Sequence, residues 1–129
     1  MRRAQVVIYE NDGRLTGLLR ERATACGWWL REVHHAGACL RLLRRGGVLV
    51  LKVGRDVERE LTLLERATRL CPDAVAVLVG DADNPALAGL AWDLGARYVL
   101  FPPQPREHLP DIVSALMSPA ESPPTEGPP

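Results

Sequence analysis

The chain has 129 residues, of which 47% are hydrophobic and 25% are charged, and its formal net charge is zero. This composition is typical of one globular domain with its own core and excludes a disordered or membrane-embedded chain. The balanced charge predicts no nucleic-acid surface, and no apolar run approaches the roughly 18 residues of a membrane span, so we expect a cytoplasmic protein without membrane contact.

Apolar periodicity predicts alternating strands and helices in the first half of the chain. The predicted elements are a strand over Gln5–Tyr9, a helix over Arg14–Cys26, a strand over Trp28–Val33, a helix over Ala36–Arg45 and a strand over Val48–Val53. The two helices end at Gly27 and at Gly46-Gly47, as helices followed by glycine commonly do. The third strand is apolar throughout except for Lys52, a pattern typical of a central parallel strand covered on both faces.

The alternation continues in the second half of the chain. The predicted elements are a helix from the cap residue Asp56 to Leu70, a strand over Ala74–Val79, a helix from Asn84-Pro85 to Leu94, a strand over Tyr98–Phe101 and a final helix over Leu109–Leu116. The final helix must begin shortly before Pro110, because proline is tolerated only in the first turn.

Three-and-four-residue spacing predicts which residues the helices bury. The first is expected to bury Leu15, Leu18, Leu19, Ala23 and Cys26; the third Val57, Leu61, Leu64, Ala67 and Leu70; the fourth Leu87, Leu90, Ala91 and Leu94. A solvated face of the third helix is expected to carry Glu58, Arg59, Glu60, Glu65 and Arg66.

Residues 118–129 contain no large apolar side chain and are predicted to form a disordered, Pro-rich tail after a domain over residues 1–117. Five strands alternating with five helices predict a parallel sheet with helices on both faces. We therefore expect an α/β, flavodoxin-like (βα)5 doubly wound fold with three layers and the strand order 2-1-3-4-5.

Cysteine and histidine give no strong sign of chemistry. Cys26, Cys39 and Cys71 are odd in number and widely spaced, which favours reduced core thiols over a disulfide framework. His34 and His35 lie near Cys39, but no fourth ligand stands at a suitable spacing, so a solvated loop is predicted there. No metal site and no cofactor are expected.

Function in a doubly wound sheet concentrates at the carboxyl ends of the strands. The residues predicted at those ends are Glu10, Asn11, Asp12, Lys52, Gly80, Asp81, Phe101 and Pro102. Lys52 stands out among them because it is the only lysine in the chain.

Two segments carry a resemblance to a known family. Val6–Asp12 is similar to the first strand and acidic corner of the receiver domains of two-component response regulators, and Leu94–Pro102 resembles their Gly-Ala-x-x-Tyr-x-x-Lys-Pro pattern. The resemblance extends from Gln5 to Met117. It implies an acidic pair after strand one, a phosphoryl-accepting aspartate at the end of strand three, a hydroxyl residue after strand four and a lysine after strand five.

At those positions the chain departs from the family. Lys52 stands where the acceptor is expected, Gly80 replaces the hydroxyl residue, Phe101 replaces the lysine and Asn11 replaces one acid. An ammonium neither attacks a phosphoryl donor usefully nor binds Mg²⁺, which prefers oxygen ligands. The resemblance therefore implies a degenerate, pseudo-receiver type of domain with no catalytic residue, and a remnant acceptor corner formed by Glu10, Asn11, Asp12, Lys52, Gly80 and Phe101.

An ammonium at the end of a buried strand is costly unless it is paired. We expect an ion pair between Lys52 and Glu10, with Asp12 as a further carboxylate in the same corner. In the alternative interpretation Lys52 extends its amine into water.

The expected function is that of a stand-alone signalling module that is not an enzyme and binds protein partners independently of phosphorylation, with a homodimer as one possibility. By resemblance, the partner-binding face lies on helix four, strand five and helix five and includes Leu87, Trp92, Arg97, Tyr98, Val99 and Arg106. Tyr98 matches the family's switch aromatic, although a half-buried edge-strand aromatic is an equal interpretation.

Two alternatives stay open. In the first, the chain is a phosphorelay receiver whose acceptor is Asp81 or Asp56, with Mg²⁺ on Glu10 and Asp12. In the second, it is a small-molecule sensor that uses the vacated corner. Elsewhere, Trp28-Trp29 suggests a binding hot spot, but strand alternation would point only one of the two rings outward.

Overall fold

A computed structural model describes residues 4–117, and the predicted tail over residues 118–129 lies outside them. The helices and strands are β1 Gln5–Tyr9, α1 Arg14–Cys26, β2 Trp29–Val33, α2 Ala36–Leu43, β3 Gly47–Val53, α3 Val57–Leu70, β4 Ala74–Gly80, α4 Pro85–Asp93, β5 Tyr98–Leu100 and α5 Leu109–Met117. One 3₁₀ turn, Arg106–His108, precedes α5, and Pro110 occupies the second position of that helix as predicted.

The strands form one parallel sheet in the order β2-β1-β3-β4-β5, which confirms the predicted flavodoxin-like fold. The central strand β3 lies between β1 and β4, so that Val50 is opposite Ile8 on one side and Val77 on the other. Within residues 4–117 no helix is long and apolar enough to cross a membrane.

Alternate residues of the central strands pack into two separate hydrophobic cores, one on each face of the sheet. Leu49, Leu51 and Val53 of β3 belong to the core that includes buried residues of α2, α3 and α4. Val48 and Val50 belong to the opposite core, with buried residues of α1 and α5. The sheet is therefore covered on both faces, which explains why its central strands are almost continuously apolar.

The buried face of α3 differs from the predicted one. The helix buries Glu60, Leu63, Leu64 and Ala67, whereas Val57 and Leu70 are 37% and 49% exposed. The prediction was wrong for these last two residues, because the apolar spacing alone did not determine the rotation of the helix.

Glu60 was expected in solvent but is only 6% exposed. Its carboxylate accepts hydrogen bonds from the backbone N–H groups of Gly54, at 2.8 Å, and Asp56, at 3.2 Å. Asp56 in turn caps α3 by accepting from the N–H of Arg59. The glutamate is buried because it holds the loop between β3 and α3.

Two further residues expected in the core are exposed. Cys26, the last residue of α1, lies beyond the buried stripe, which ends at Ala23. Leu90 is 45% exposed, because α4 is fully buried only at Ala91 and packs through that small side chain. Cys39 and Cys71 are buried as predicted, and burial raises the pKa of Cys39 to about 12.

Candidate functional site

Three adjacent strands, β1, β3 and β4, end at one edge of the sheet and carry the acceptor corner predicted from the sequence. A cavity of about 250 Å³ lies there, and its lining includes Glu10, Asn11, Asp12, Lys52 and Asp81. The parallel order of the strands brings these residues together, although as many as 71 positions separate them in the sequence, from 10 to 81. Charged side chains dominate the lining.

Lys52 lies at the centre of this corner, and its side chain is 17% exposed. Its Nζ lies 3.4 Å from Oδ2 of Asp81 and 3.7 Å from Oδ2 of Asp12. The ammonium thus bridges two carboxylates that follow different strands. It is paired rather than fully extended into water, but not with the partner we expected.

Glu10 is 3% exposed, and the ion pairs of Lys52 go to Asp12 and Asp81 rather than to it. Its carboxylate accepts hydrogen bonds from the N–H of Leu15, the N–H of Thr16 and the hydroxyl of Thr16, each at 2.9 Å. The residue before α1, Gly13, has φ 73° and offers no side-chain cap, so Glu10 satisfies the free N–H groups of that helix instead. The predicted Lys52–Glu10 ion pair is therefore wrong.

Asp12 is an accessible acid of the corner, with a side chain 44% exposed. The backbone N–H of Arg14 donates to its Oδ1 at 3.1 Å. That hydrogen bond lowers the pKa of Asp12 below its ordinary value, and the charges of Lys52 and Arg14 act in the same direction. Asp12 therefore stays ionised opposite the lysine.

Asp81 has a second cationic partner. Arg106, from the 3₁₀ turn before α5, contacts the Asp81 carboxylate and donates to the carbonyl of Gly80 at 3.2 Å. Arg106 was expected on the partner-binding face, which stays a prediction; its side chain is 23% exposed and its guanidinium contacts Asp81. Asp81 was predicted only as an alternative acceptor, although its position directly after β4 was the signal that it would reach Lys52.

Gly80 and Phe101 fill one space between them. A Cβ added at Gly80 would lie 2.8 Å from Cε2 and 2.9 Å from Cζ of Phe101, closer than side-chain carbons approach each other. Phe101 is 7% exposed, so its ring is part of the core. The ring therefore depends on the absence of a side chain at position 80, and the two replacements relative to the receiver pattern are sterically linked.

The residues predicted for partner binding are only partly brought to the surface. Trp92 is 48% exposed, and its ring packs edge-on against half-buried Tyr98 with centroids 6.2 Å apart. Arg97 is exposed and Leu87 is half-buried. The prediction was wrong for Val99, which is 7% exposed because strand alternation turns it into the core.

The fold family implies Mg²⁺ at this corner, and the residues present do not fit it. Glu10 uses both carboxylate oxygens at the start of α1, while Asp12 and Asp81 already face the ammonium of Lys52. No group of three histidine, cysteine, aspartate or glutamate residues in the described chain is placed to hold a metal ion. Of the adjacent histidines His34 and His35, His34 has its Nδ1 2.8 Å from the carbonyl oxygen of Glu10, within hydrogen-bond distance.

No protein-family model and no curated protein matches the sequence. Solved structures do match the fold. A response regulator receiver domain protein from Methanospirillum hungatei is 14% identical with a TM-score of 0.73, over 91% of this chain and 95% of that chain. A response regulator from Thermotoga maritima is 18% identical with a TM-score of 0.73, over 91% and 99%.

A third structure, of a protein assigned to pilus assembly in Burkholderia thailandensis, is 25% identical with a TM-score of 0.68, over 91% of this chain and 99% of that chain. Together with the strand order β2-β1-β3-β4-β5, these likenesses show that the chain has the fold of response-regulator receiver domains.

Proposed function

We propose that the chain is a receiver-like signalling module of the cytoplasm that acts by binding other proteins and without being phosphorylated. The observation that carries the proposal is the Lys52 ammonium, which lies between Asp12 and Asp81 at the position resembling the phosphoryl acceptor. A protonated amine has no electron pair with which to attack phosphorus.

The cations already present at the corner strengthen this proposal. In phosphoryl transfer, positive groups balance the charge of the incoming phosphoryl oxygens. Here Lys52 and Arg106 are already matched by the carboxylates of Asp12 and Asp81. Both cations have carboxylate partners without any added group, which favours one permanent conformation.

Beryllofluoride, a phosphoryl analogue, tests phosphorylation independence. The protein is titrated with beryllofluoride and Mg²⁺ while tryptophan fluorescence is followed, with a conventional receiver domain as positive control. We expect no saturable response from this chain. A saturable response that Glu10→Gln abolishes would contradict the proposal.

The alternative phosphorelay function requires a different acceptor. Asp81 contacts Lys52 and Arg106, and Asp56 accepts from the N–H of Arg59 at 3.4 Å while capping α3. Both carboxylates therefore have structural partners. In the same titration, a response lost in Asp81→Asn or Asp56→Asn would identify the acceptor and favour this alternative.

A small-molecule sensor is the less favoured alternative. The corner cavity of about 250 Å³ falls below the roughly 300–1,000 Å³ of most ligand pockets, and its lining is charged rather than apolar. A thermal-shift screen against small anions and nucleotides, in which no compound raises the melting temperature, would agree with this ranking.

For the partner surface we propose the part of the predicted face that the structure leaves open, extended by Leu90, which was predicted in the core but is exposed. Leu90 and Trp92 of α4 are 45% and 48% exposed, and Arg97 and Tyr98 lie beside them at the start of β5. Exposed aromatic and aliphatic side chains next to an arginine are typical of binding hot spots. A second copy of the chain is one partner that this face would suit.

Variants of Leu90 and Trp92 test this surface. Leu90→Ala combined with Trp92→Ala should abolish capture of the native partner, and any self-association seen by sedimentation. Leu70→Ala on α3 is the matched control, since Leu70 is 49% exposed and lies on another helix. Equal loss with the control would contradict the assignment of the surface.

A second candidate role rests on the likeness to the pilus assembly protein, which is 25% identical over 91% of this chain. In that role the module would bind within a multiprotein assembly instead of a signalling relay. The identity of the captured partner separates the two roles, and both require protein binding without phosphoryl transfer.

A further inference from the structure

A second surface lies on the opposite side of the fold from α4. A groove of about 1110 Å³ runs between β2, the second half of α2 and the first residues of β1 and β3. Three arginines from separate parts of the chain line it, namely Arg31 on β2, Arg41 on α2 and Arg45 in the loop before β3. Among the lining residues that the structure describes, Asp73 is the only acidic one.

The floor of the groove is preformed. Gln5 is 7% exposed, and its Nε2 donates to the carbonyls of Leu42, at 2.6 Å, and Gly46, at 2.8 Å. A Cβ at Gly47 would lie 2.6 Å from the carbonyl oxygen of Gln5, so the two strands meet closely there. The end of α2 is thereby tied to the sheet, and little ordering is needed on binding.

The wall of the groove presents a tryptophan together with its arginines. Trp29 is 40% exposed, and the guanidinium carbon of Arg31 lies 5.1 Å from the centroid of its ring. Trp28, by contrast, is partly buried against the core on the α1 side, so only one of the two rings turns outward, as strand alternation predicts. The cation–π contact orients the Arg31 guanidinium beside the exposed ring.

The positive charge of the groove is local. The whole chain is formally neutral, yet the charged lining residues within 4–117 are three arginines and one acid. Arg45 already interacts within the chain, so Arg31 and Arg41 are the arginines considered for binding. Arginine binds carboxylates through two parallel N–H donors, which lysine does not offer.

We propose that this groove docks an acidic segment of a partner protein, whose glutamate or aspartate side chains pair with Arg31 and Arg41. The proposal goes beyond the function given above, because it assigns a second docking surface remote from α4. Nucleic acid is disfavoured because a neutral chain lacks the extended basic surface that phosphate backbones require.

Fluorescence anisotropy with a labelled peptide tests the proposal. The probe is a peptide of about twelve residues in which glutamate alternates with serine, and the control peptide carries glutamine in place of glutamate. We expect saturable binding of the glutamate peptide, weakened by added salt, and at least about tenfold weaker binding of the glutamine peptide.

Charge reversals locate the binding surface. Arg31→Glu with Arg41→Glu should weaken binding by at least about tenfold, and Arg20→Glu, an exposed position on α1 outside the groove, should change it by less than about twofold. If the double reversal unfolds the protein, Arg31→Gln with Arg41→Gln replaces it, and a loss of at least about threefold is expected.

Several outcomes would overturn the proposal: no saturable binding, equal binding of the two peptides, equal loss in the Arg20 variant, or no loss in the double variant. A labelled single-stranded DNA of matched length that binds more tightly than the peptide would also overturn it, in favour of a nucleic-acid surface. Neither the peptide-binding results nor the DNA-binding result depends on whether the acceptor corner accepts a phosphoryl group.

Discussion

The acceptor corner and the arginine groove treat charge in opposite ways. At the corner, Lys52 and Arg106 each contact a carboxylate, and the two acids that receive them come from different loops. In the groove, three arginines line the surface with one aspartate. Charges that pair with each other hold a conformation, whereas Arg31 and Arg41 of the groove are exposed and are the residues proposed to meet a partner. At the acceptor corner both cations thus have partners within the chain, whereas the groove is the region proposed for binding a partner.

The largest expected effect concerns the packing of the Phe101 ring against Gly80. Phe101→Ala should lower the free energy of unfolding by about 3 kcal/mol, because a nearly buried ring is lost. Gly80→Ala should cost about 2 kcal/mol in the wild type through its clash with that ring. Urea unfolding of both single variants and the double variant gives the coupling free energy between positions 80 and 101.

In the Phe101→Ala background the Gly80→Ala change should become nearly neutral, because the ring that it would strike is gone. Gly89→Ala on the exposed face of α4, where an added Cβ meets nothing within 4 Å, is the matched control. Additive costs for Gly80 and Phe101 would refute the steric link.

Glu10 should matter next. Glu10→Gln is expected to lower the free energy of unfolding by about 2 kcal/mol, because a buried carboxylate that accepts three hydrogen bonds at the start of α1 loses its charge. Denaturant unfolding measures the change. Asp12→Asn, at the more exposed acid, should cost less, and the reverse order would mean that Glu10 does not cap the helix.

A direct comparison of the two regions uses one cation from each. Lys52→Met should cost about 1 kcal/mol at low salt and less at high salt, since it leaves two carboxylates facing each other. Arg41→Met in the groove should cost less than about 0.5 kcal/mol. Thermal unfolding at two salt concentrations provides the measurement, and equal costs would remove the distinction between the regions.

The smallest effect is the pH dependence contributed by Asp12. Its pKa is lower in the folded chain than the ordinary value of 3.8, so its contribution to stability is present above that value and is lost as the pH falls through the folded pKa. The stability difference between wild type and Asp12→Asn should therefore be constant above about pH 5 and shrink below about pH 3.8. A difference that grows on acidification would contradict the cause given for the pKa.

The sequence predicted the element order and the strand order because periodicity of two or of three to four residues survives without tertiary information. It also placed Lys52, Asp12 and Asp81 at one sheet edge. It did not identify which carboxylates pair with Lys52, because Glu10 accepts from the first N–H groups of α1, which follows a left-handed turn at Gly13. That choice depends on backbone geometry that composition does not reveal.

Two other features depended on tertiary packing. The contact between Gly80 and Phe101 follows from the register of β4 against β5, where Val79 lies opposite Leu100. The burial of Glu60 depends on the rotation of α3 and on the loop that it must satisfy. Single-sequence periodicity gives the phase of a helix only approximately, so Leu70 was predicted in the core.

The role of Glu10 as a helix cap also bears on how reversible this site is. Installing an acceptor by Lys52→Asp would provide a nucleophile, but Glu10 would remain committed to the N–H groups of Leu15 and Thr16. Releasing it for a metal would leave the first turn of α1 without its cap, and a hydroxyl side chain at position 80 would still meet the ring of Phe101. Each of these last two changes would lower the stability of the fold, so substituting Lys52 alone would not rebuild an acceptor site.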